Sequence, residues 1–205
     1  MLEKVRALLK QAENRETFFR RIASFLPPSD PRYIMIEKAY NVAKDAFRDE
    51  EREDGGRYFE HLRATALILI DYLRVRNHIL IIVALLHDIV EDKPSWPIER
   101  IKREFGEEVA LLLDYCTKPS KSDYPEEERL RVYHNRFEYA PRDFFLVKLS
   151  DRLHNILTIW NCSPEKIARK IEETKRCYLP YAEKNVLLIH ELEEAISGPE
   201  TPKSS

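Results

Sequence analysis

The stretch HILIIVALLHDIVED, residues 78–92, joins the most apolar segment of the chain to a histidine and three carboxylates. Its aliphatic part is compatible with a buried strand, but its continuation as far as Asp92 gives a length typical of a helix. On a helix, His87 and Glu91 share one face and Asp88 and Asp92 share another, because each pair is four residues apart. Buried without partners, these groups destabilise a fold. Either a divalent cation or a cluster of salt bridges must therefore compensate, and this stretch alone leaves both open.

Helical spacing is present in most of the sequence outside this stretch. Apolar residues recur at intervals of three and four, no alternating strand pattern is sustained, and only 4 glycines occur in 205 residues. We therefore predict an all-α fold. The expected helices span 33–47, 58–73, 78–92, 97–105, 107–116, 126–139, 141–160 and 163–195. Asn77 and Ser163 are expected to cap two of them, and Pro180 should kink the last.

The chain is long enough to form one domain with a sizeable core. Residues 1–30 are interpreted as an amino-terminal helical extension, a separate helix that ends at the turn LPPSDP. The main domain is expected to span residues 31–196. Residues 197–205, with the sequence SGPETPKSS, are predicted to form a disordered tail.

Charge and cysteine content argue against several classes of protein. The 34 Lys and Arg against 36 Asp and Glu give a net charge of −2, which disfavours binding of nucleic acid or an anionic membrane. Three scattered cysteines without a CxxC pair are typical of a reduced, cytoplasmic protein. The start MLEKVRALLK lacks the apolar region of a signal peptide, and residues 79–86 are too few to span a membrane. The sequence does not determine the oligomeric state, and it is compatible with a homo-oligomer.

A second polar cluster, KLSDRLHN at residues 148–155, also follows an apolar run, FFLV. Asp151 and Asn155 share a helical face there because they are four residues apart. His61 begins another helix just after the glycine turn DGGR. Polar groups from three helices can therefore converge, and a mixed set of imidazole and carboxylate suits Mn, Fe or Zn better than a thiolate site would.

These motifs carry a resemblance to a known family. GRYFEH, ALLHDIVED, FGEEVALLLDYCTK, LVKLSDRLHN and ETKRCYLPYA, in this order, resemble the alarmone-hydrolase domain of the RelA/SpoT-homologue family, which belongs to the HD-domain phosphohydrolases. The match covers roughly residues 39–184. A lone HD dipeptide is weak evidence, whereas HD followed by ED and later by L-x-D-R-L-H-N is specific. The resemblance implies a compact multi-helix HD-domain fold with a metal site between central helices.

The resemblance also implies a reaction and its participants. One Mn²⁺ would be bound by four side chains, namely His61, His87, Asp88 and Asp151. Glu91 and Asp92 would then handle the attacking water. The family removes pyrophosphate from the 3′ position of guanosine tetraphosphate or pentaphosphate, (p)ppGpp, which leaves GDP or GTP. The chemistry agrees with the residues, since a cation supplies a Lewis acid and a nearby carboxylate accepts a proton.

Four further residues are candidates for binding the nucleotide substrate. Arg52 matches a family arginine near the catalytic centre, and Asn155 and Thr158 match positions that contact the nucleoside. Lys148 lies one helical turn before Asp151, so its charge suits either a phosphate oxygen or a neighbouring carboxylate.

Several residues leave other interpretations open. Glu53 and Asp54 replace the basic surroundings that the family often has beside Arg52, and they weaken the attraction of a highly anionic alarmone. The same chemistry on NADPH, at its 2′-phosphate, or on a nucleoside monophosphate is therefore an alternative, and a non-catalytic module that binds a nucleotide is another. His154 is expected either to support the metal ligands from behind or to pack in the core, and Tyr58 is expected to be a core anchor. The length suggests a small stand-alone hydrolase, without synthetase or regulatory domains.

Overall fold

The computed structural model describes residues 1–198, and in this part of the chain it is built from helices without a β-strand. The predicted all-α fold is confirmed. The α-helices are α1 Leu2–Leu9, α2 Arg15–Ala23, α3 Pro31–Ala46, α4 Tyr58–Leu67, α5 His78–Leu86, α6 Ile89–Asp92, α7 Ile98–Phe105, α8 Glu107–Cys116, α9 Glu126–Asn135, α10 Arg142–Thr158, α11 Pro164–Cys177, α12 Leu179–Asn185 and α13 Ile189–Ile196. No described helix is long and apolar enough to cross a membrane.

Helix α5 is the centre of the core. Its residues 81–86 have no solvent exposure, and α3, α4, α8 and α10 all pack against it. Asn77 caps its start as expected, because the Asn77 side chain accepts a hydrogen bond from the Ile79 amide at 2.9 Å. A helix that is apolar on every side is stable only when other elements cover it completely. The other core helices therefore surround α5, and the polar end of α5 faces their junction.

The helix expected over residues 78–92 is wrong in one respect, because it is interrupted. Helix α5 ends at Leu86, and α6 begins at Ile89. The His87 Nδ1 atom donates to the Ala84 carbonyl oxygen at 2.8 Å, and in a continuous helix that oxygen would accept from the Asp88 amide. The interruption turns His87 and Asp88 towards the junction of the core helices.

The last predicted helix, 163–195, is also wrong, since three helices replace one kinked helix. Pro180 lies in the first turn of α12, where its missing N–H is tolerated. Between α12 and α13, Val186 and Leu188 adopt left-handed backbone conformations with φ of 51° and 55°. Such conformations cost about 1–2 kcal/mol each in residues other than glycine. Burial of Leu187 and Leu188 offsets that cost.

The amino-terminal segment contains two helices where a single separate helix was expected. Asn14 interrupts the pattern and caps α2 in a reciprocal arrangement with Thr17. Leu2 and Phe18 are fully buried in the same core as α5. The functional division between residues 1–30 and 31–196 stays a prediction. Most of the predicted tail, residues 199–205, lies outside the described residues.

Candidate active site

Three helical segments bring the predicted metal ligands together. His61 lies in α4, His87 and Asp88 form the link between α5 and α6, and Asp151 lies in α10. Each position is enclosed by the core, and His61, His87 and Asp151 are buried. The polar ends of apolar segments thus meet at one point.

The distances between the side-chain atoms are those of a metal cradle. The His61 Nε2 atom lies 3.2 Å from His87 Nε2 and 3.2 Å from Asp151 Oδ1. The His87 Nε2 atom lies 3.3 Å from Asp88 Oδ2 and 3.5 Å from Asp151 Oδ1. Ligands that are ~2.1 Å from one tetrahedral or octahedral ion lie ~3.0–3.4 Å from one another. The His61 Nε2 atom lies farther from Asp88 Oδ2, at 3.9 Å. His61, His87 and Asp88 thus offer ligand atoms close enough together for one metal ion, and Asp151 Oδ1 lies beside both histidines.

The hydrogen bond of His87 tests whether these residues fit a cation. The Ala84 carbonyl can only accept, so His87 Nδ1 carries a proton. In neutral His87 the Nε2 lone pair consequently points at the carboxylates of Asp88 and Asp151. Acceptors that converge in this way repel one another unless a proton or a metal ion lies between them. Burial disfavours a charged His87, but the two carboxylates prevail and raise the pKa of the imidazole. The donor set fits a metal ion.

Lys148 is the only predicted substrate contact whose charge is already engaged inside the cluster. Its Nζ atom lies 2.8 Å from Asp151 Oδ2, and both side chains are buried. Burial opposes charge on both groups, yet Lys148 holds the pKa of the Asp151 carboxyl well below its usual range. The pair keeps one oxygen of Asp151 neutralised and leaves Oδ1 facing the two histidines.

Tyr58 packs against the core as expected, but its hydroxyl group also reaches the predicted metal site. Its ring stacks on Phe47 with centroids 4.6 Å apart, but the hydroxyl lies 2.8 Å from Asp88 Oδ2 and 3.0 Å from Asp92 Oδ2. One hydroxyl proton can serve only one of these carboxylates at a time. Burial and the charge of Asp88 raise the pKa of Asp92. Tyr58 thus links Asp92 to a metal-ligand candidate.

Glu91 and Asp92 diverge instead of acting as a matched pair. The Glu91 carboxylate accepts two hydrogen bonds from Lys118 Nζ, at 2.8 and 3.1 Å, and lies 3.7 Å from Arg129. Asp92 instead faces Tyr58. The two residues are adjacent in α6, so their side chains leave the helix about 100° apart. Neither cationic partner of Glu91 was predicted, since both are distant in sequence.

The remaining substrate candidates form a chain of hydrogen bonds that ends at the cluster. Arg52 donates to Asn155 Oδ1 at 2.8 Å and to Thr158 Oγ1 at 3.3 Å. Asn155 in turn donates to Asp151 Oδ1 at 2.5 Å. Asp54 accepts from Arg52 Nε at 3.2 Å and from the Gly56 amide. Asp54, one of the two acidic residues expected to weaken the attraction of an anionic substrate, therefore pairs directly with Arg52.

A cavity of about 390 Å³ opens at this cluster. Arg52, Asn155, Thr158 and Lys148 all line it, as do Tyr58 and the predicted ligands His61, Asp88 and Asp151. It is also lined by cationic side chains that the sequence did not indicate, which we call the basic side, namely Lys118, Arg152, Lys166 and Lys170. These come from the loop after α8 and from α10 and α11, so no local motif could have revealed them. The cavity is thus lined both by carboxylates of the cluster and by several cationic side chains.

The sequence of residues 39–186 matches the model of the HD-domain family. This match spans well over half of the chain. The protein belongs to the HD-domain family. The HD-domain fold expected from the motifs is thereby confirmed.

Relatives of known name point to one branch of the HD-domain family. The chain is 38% identical over 149 residues to a guanosine-3′,5′-bis(diphosphate) 3′-pyrophosphohydrolase of Aquifex aeolicus, covering 72% of this chain and 21% of that protein. It is 30% identical over 187 residues to the bifunctional (p)ppGpp synthase/hydrolase SpoT of Escherichia coli, covering 87% and 26%. The chain spans about a fifth to a quarter of the length of these relatives. The resemblance read from the motifs is confirmed.

A solved structure shares the fold. It belongs to a metazoan orthologue of SpoT that hydrolyses ppGpp, and it superimposes with a TM-score of 0.71 at 23% identity. The superposition covers 80% of this chain and 94% of that one. The agreement in architecture extends across nearly all of the solved chain.

Proposed function

We propose that this HD-domain protein is a metal-dependent hydrolase that removes the 3′-pyrophosphate of (p)ppGpp, which yields GDP or GTP and pyrophosphate. The observation that carries the proposal is the convergence of His61, His87, Asp88 and Asp151 beside a cavity that cationic side chains also line. The names of the relatives support the substrate.

The four converging side chains would hold the divalent cation. Its imidazole and carboxylate donors suit Mn²⁺, which we propose as the native ion, and Fe or Zn share this preference. When bound, the cation supplies a Lewis acid for a phosphoryl oxygen and lowers the pKa of a water molecule. Tyr58 and Lys148 hold Asp88 and Asp151 in place by hydrogen bonds of 2.8 Å each.

Asp92 is the proposed acceptor of the water proton. Its Oδ2 atom shares the Tyr58 hydroxyl with Asp88, which places the carboxylate next to the cluster without making it part of the cradle. Glu91 is also proposed to act on the attacking water. Its role is indirect, because its carboxylate binds Lys118, which lines the cavity. Removal of Asp92 should therefore affect proton transfer more than removal of Glu91 does.

The basic side of the cavity is proposed to bind the phosphates of the substrate. Lys118, Lys166 and Lys170 all line it, and lysine suits phosphate as a compact point charge. Arg52, Asn155 and Thr158, joined by hydrogen bonds, would contact the nucleoside side of the substrate. Lys148 is proposed to reach a phosphate oxygen while it pairs with Asp151.

We also propose a cytoplasmic location, because all three cysteines are free thiols. The net charge of −2 agrees with a small nucleotide, and not a nucleic acid or a membrane, as the partner. A homo-oligomer is compatible with these features and stays a prediction.

Hydrolysis of ppGpp tests the proposal directly. Purified protein with Mn²⁺ should convert ppGpp to GDP and pyrophosphate, which anion-exchange chromatography resolves. Removal of the metal with a chelator should stop the reaction, and added Mn²⁺ should restore it. Binding of ppGpp without turnover by the metal-loaded protein would favour a non-catalytic nucleotide-binding module instead.

A second substrate class is supported by the two acidic residues at the cavity. Asp54 engages Arg52, and Glu53 pairs with Lys166 at 2.5 Å, so two cations are partly neutralised. A less charged nucleotide, such as NADPH at its 2′-phosphate or a nucleoside monophosphate, suits such a cavity better. A panel of ppGpp, NADPH and GMP separates the two, because this alternative releases orthophosphate and the alarmone reaction releases pyrophosphate.

A further inference from the structure

Arg129 is a buried cation that lies close to the candidate active site without lining its cavity. The residue is 5% exposed, and none of the described residues of α9, the helix that carries it, lines that cavity. A buried guanidinium destabilises a fold unless carboxylates or carbonyl oxygens surround it. The partners of Arg129 therefore indicate what the residue contributes.

Two carboxylates and one carbonyl oxygen surround Arg129. Its Nε and Nη2 atoms donate to Glu126 Oε2 at 3.2 and 2.9 Å, but the Glu126 side chain is 63% exposed, so solvent screens this pair. The Nη1 atom donates to the Pro119 carbonyl oxygen at 3.4 Å and lies 3.7 Å from Glu91 Oε1. The Glu91 side chain is only 19% exposed. Glu91 is therefore the better shielded counter-charge, and Arg129 connects α9 to α6.

Glu91 is shared between two cations that differ in their access to the cavity. Lys118 donates two hydrogen bonds to the Glu91 carboxylate, at 2.8 and 3.1 Å, and lines the cavity. Arg129 approaches the same carboxylate but does not line the cavity. An anion in the cavity can therefore attract Lys118, whereas Arg129 stays with Glu91.

A phosphate group in the cavity would compete with Glu91 for Lys118. Transfer of Lys118 to the phosphate removes two charge-assisted hydrogen bonds from Glu91, and a largely buried carboxylate that is left without a partner strongly destabilises a fold. Arg129 prevents most of this loss, because its guanidinium keeps a positive charge beside Glu91. Lys118 can thus change partners without leaving an unpaired charge behind.

We infer that Arg129 is a positioning residue, which retains Glu91 while Lys118 exchanges this carboxylate for an anionic group of the substrate. The identity of that group as a phosphate rests on the proposed function, whereas the exchange itself needs neither a metal ion nor turnover. Among the described residues, loss of Arg129 leaves Lys118 as the one cation paired with Glu91. That pair should then tighten, and an anion in the cavity should bind less well.

The first experiment tests the competition with inorganic pyrophosphate as the probe, titrated by calorimetry into protein from which a chelator has removed metal ions. Lys118→Ala should weaken binding about tenfold, through loss of one charge-assisted hydrogen bond. Glu91→Gln should tighten binding about three- to fivefold, because Lys118 loses its competitor. In Lys118→Ala protein the same Glu91→Gln change should have a much smaller effect. Equal effects of Glu91→Gln with and without Lys118, or no pyrophosphate binding, would overturn the exchange.

The second experiment tests Arg129 with the same titration. Arg129→Gln should weaken pyrophosphate binding about threefold, and Arg129→Lys, which keeps the charge, should restore it. Loss of a positive charge weakens anion binding even without the exchange, so the decisive comparison is made in Glu91→Gln protein, where Arg129→Gln should have little effect. Arg131→Gln, at an exposed arginine of the same helix with a carboxylate partner three residues earlier, is the matched control. A threefold loss that persists without Glu91 would refute the positioning role.

A further variant leaves Arg129 itself in place and so does not require the fold to tolerate its loss. Glu126→Gln, at an exposed site, removes the other carboxylate that pairs with Arg129. Arg129 should then hold Glu91 more firmly, Lys118 should be freer, and pyrophosphate should bind about twofold more tightly. Glu127→Gln removes the same charge from the next exposed residue and serves as the control. Equal affinities in these two variants would refute Arg129 as the partner that retains Glu91.

Turnover of ppGpp separates this inference from the proposed function. If the metal-loaded protein does not hydrolyse ppGpp but the pyrophosphate titrations follow the expected pattern, the exchange stands and the proposed function fails. If ppGpp is hydrolysed but Arg129→Gln has the same effect with and without Glu91, only the inference is wrong. Where both hold, Arg129→Gln should raise KM for ppGpp about threefold and leave Mn²⁺ affinity unchanged, and Arg129→Lys should restore KM.

Discussion

Asp151 and Arg152 are neighbours in α10, yet their side chains enter two buried clusters of opposite character. Asp151 joins Asp88, His61 and His87, and Lys148 is the ammonium group that faces these two carboxylates. Arg152 joins Lys170 around the single carboxylate of Glu173, so positive charge is in excess. Burial of charge is common to both. The two clusters thus differ in the sign of their charge, and the proposed function assigns a cation to the first and the phosphates of the substrate to the second.

The largest expected effect comes from removing charge on the acidic side. Asp88→Asn keeps an acceptor for Tyr58 but loses the anionic ligand. We expect Mn²⁺ affinity to fall by more than about 100-fold and hydrolysis of ppGpp to become undetectable. Calorimetry and chromatography measure the two effects. Asp143→Asn, a change at a partly exposed residue in the first turn of α10, should alter neither. Unchanged Mn²⁺ affinity in Asp88→Asn would remove Asp88 from the ligand set.

Loss of the counter-charge on the basic side should lower the stability of the fold and leave metal binding unchanged. Glu173→Gln leaves Arg152 and Lys170 without their buried counter-charge. We expect the free energy of unfolding to fall by about 3 kcal/mol, while Mn²⁺ affinity stays as in the wild type. Urea denaturation measures the first and calorimetry the second. Glu172→Gln, the exposed neighbour, should have little effect on stability. A loss of Mn²⁺ affinity in Glu173→Gln would show that the two clusters are not independent.

The pH dependence of stability gives a further test of the basic cluster. Burial opposes the ionised form of Glu173, but His134, Arg152 and Lys170 outweigh it and lower the pKa below its ordinary value of 4.5. The stability contributed by this carboxylate is therefore fully present above pH 4.5 and is lost as the pH falls further. In metal-free protein, the difference in unfolding free energy between wild type and Glu173→Gln should shrink below that pH. A constant difference would contradict the ion-pair explanation.

Local patterns predicted most of the helices but not their interruptions. The spacing of apolar residues placed α5, and Asn77 marked its start. The break after Leu86 was missed because it depends on a side chain, His87, that competes for a backbone carbonyl. The left-handed residues Val186 and Leu188 were missed because no glycine marks them, and tertiary burial alone maintains them. Competition and burial are consequences of the fold and leave no local signature.

The residues of the candidate site also fall into two groups: those that short sequence motifs predict and those that only the packing of the helices brings together. The acidic side was accessible because its residues lie in short motifs such as HDIVED and KLSDRLHN, where spacing and composition coincide. The basic side was not, because Lys118 and Lys170 stand in unremarkable charged segments and become a cluster only when α11 packs beside α10. The ion pair between Glu91 and Lys118 could not be predicted either, because the two residues are distant in sequence.

The basic side can also be tested through substrate binding. Lys170→Ala removes a half-buried cation from the wall of the cavity. If this wall binds phosphates, KM for ppGpp should rise about tenfold, the equivalent of one charge-assisted hydrogen bond, with a much smaller change in kcat. Lys175→Ala, exposed on the same helix, is the matched control. Steady-state kinetics of the folded variants measure KM and kcat. An unchanged KM in Lys170→Ala would exclude this wall from the phosphate site.

The smallest expected effect concerns the ion pair between Glu53 and Lys166, which joins the two sides of the cavity. Glu53 is largely exposed, so the pair should contribute little to stability. Glu53→Gln releases Lys166 for the substrate and should lower KM for ppGpp about two- to threefold, an effect that decreases as salt is added. Glu165→Gln removes the same charge next to Lys166 without breaking an ion pair, and it serves as the control. Equal KM values in both variants would mean that net charge alone is responsible. A lower KM in Glu53→Gln only would show that this acidic residue restrains the basic side and favours less charged nucleotides.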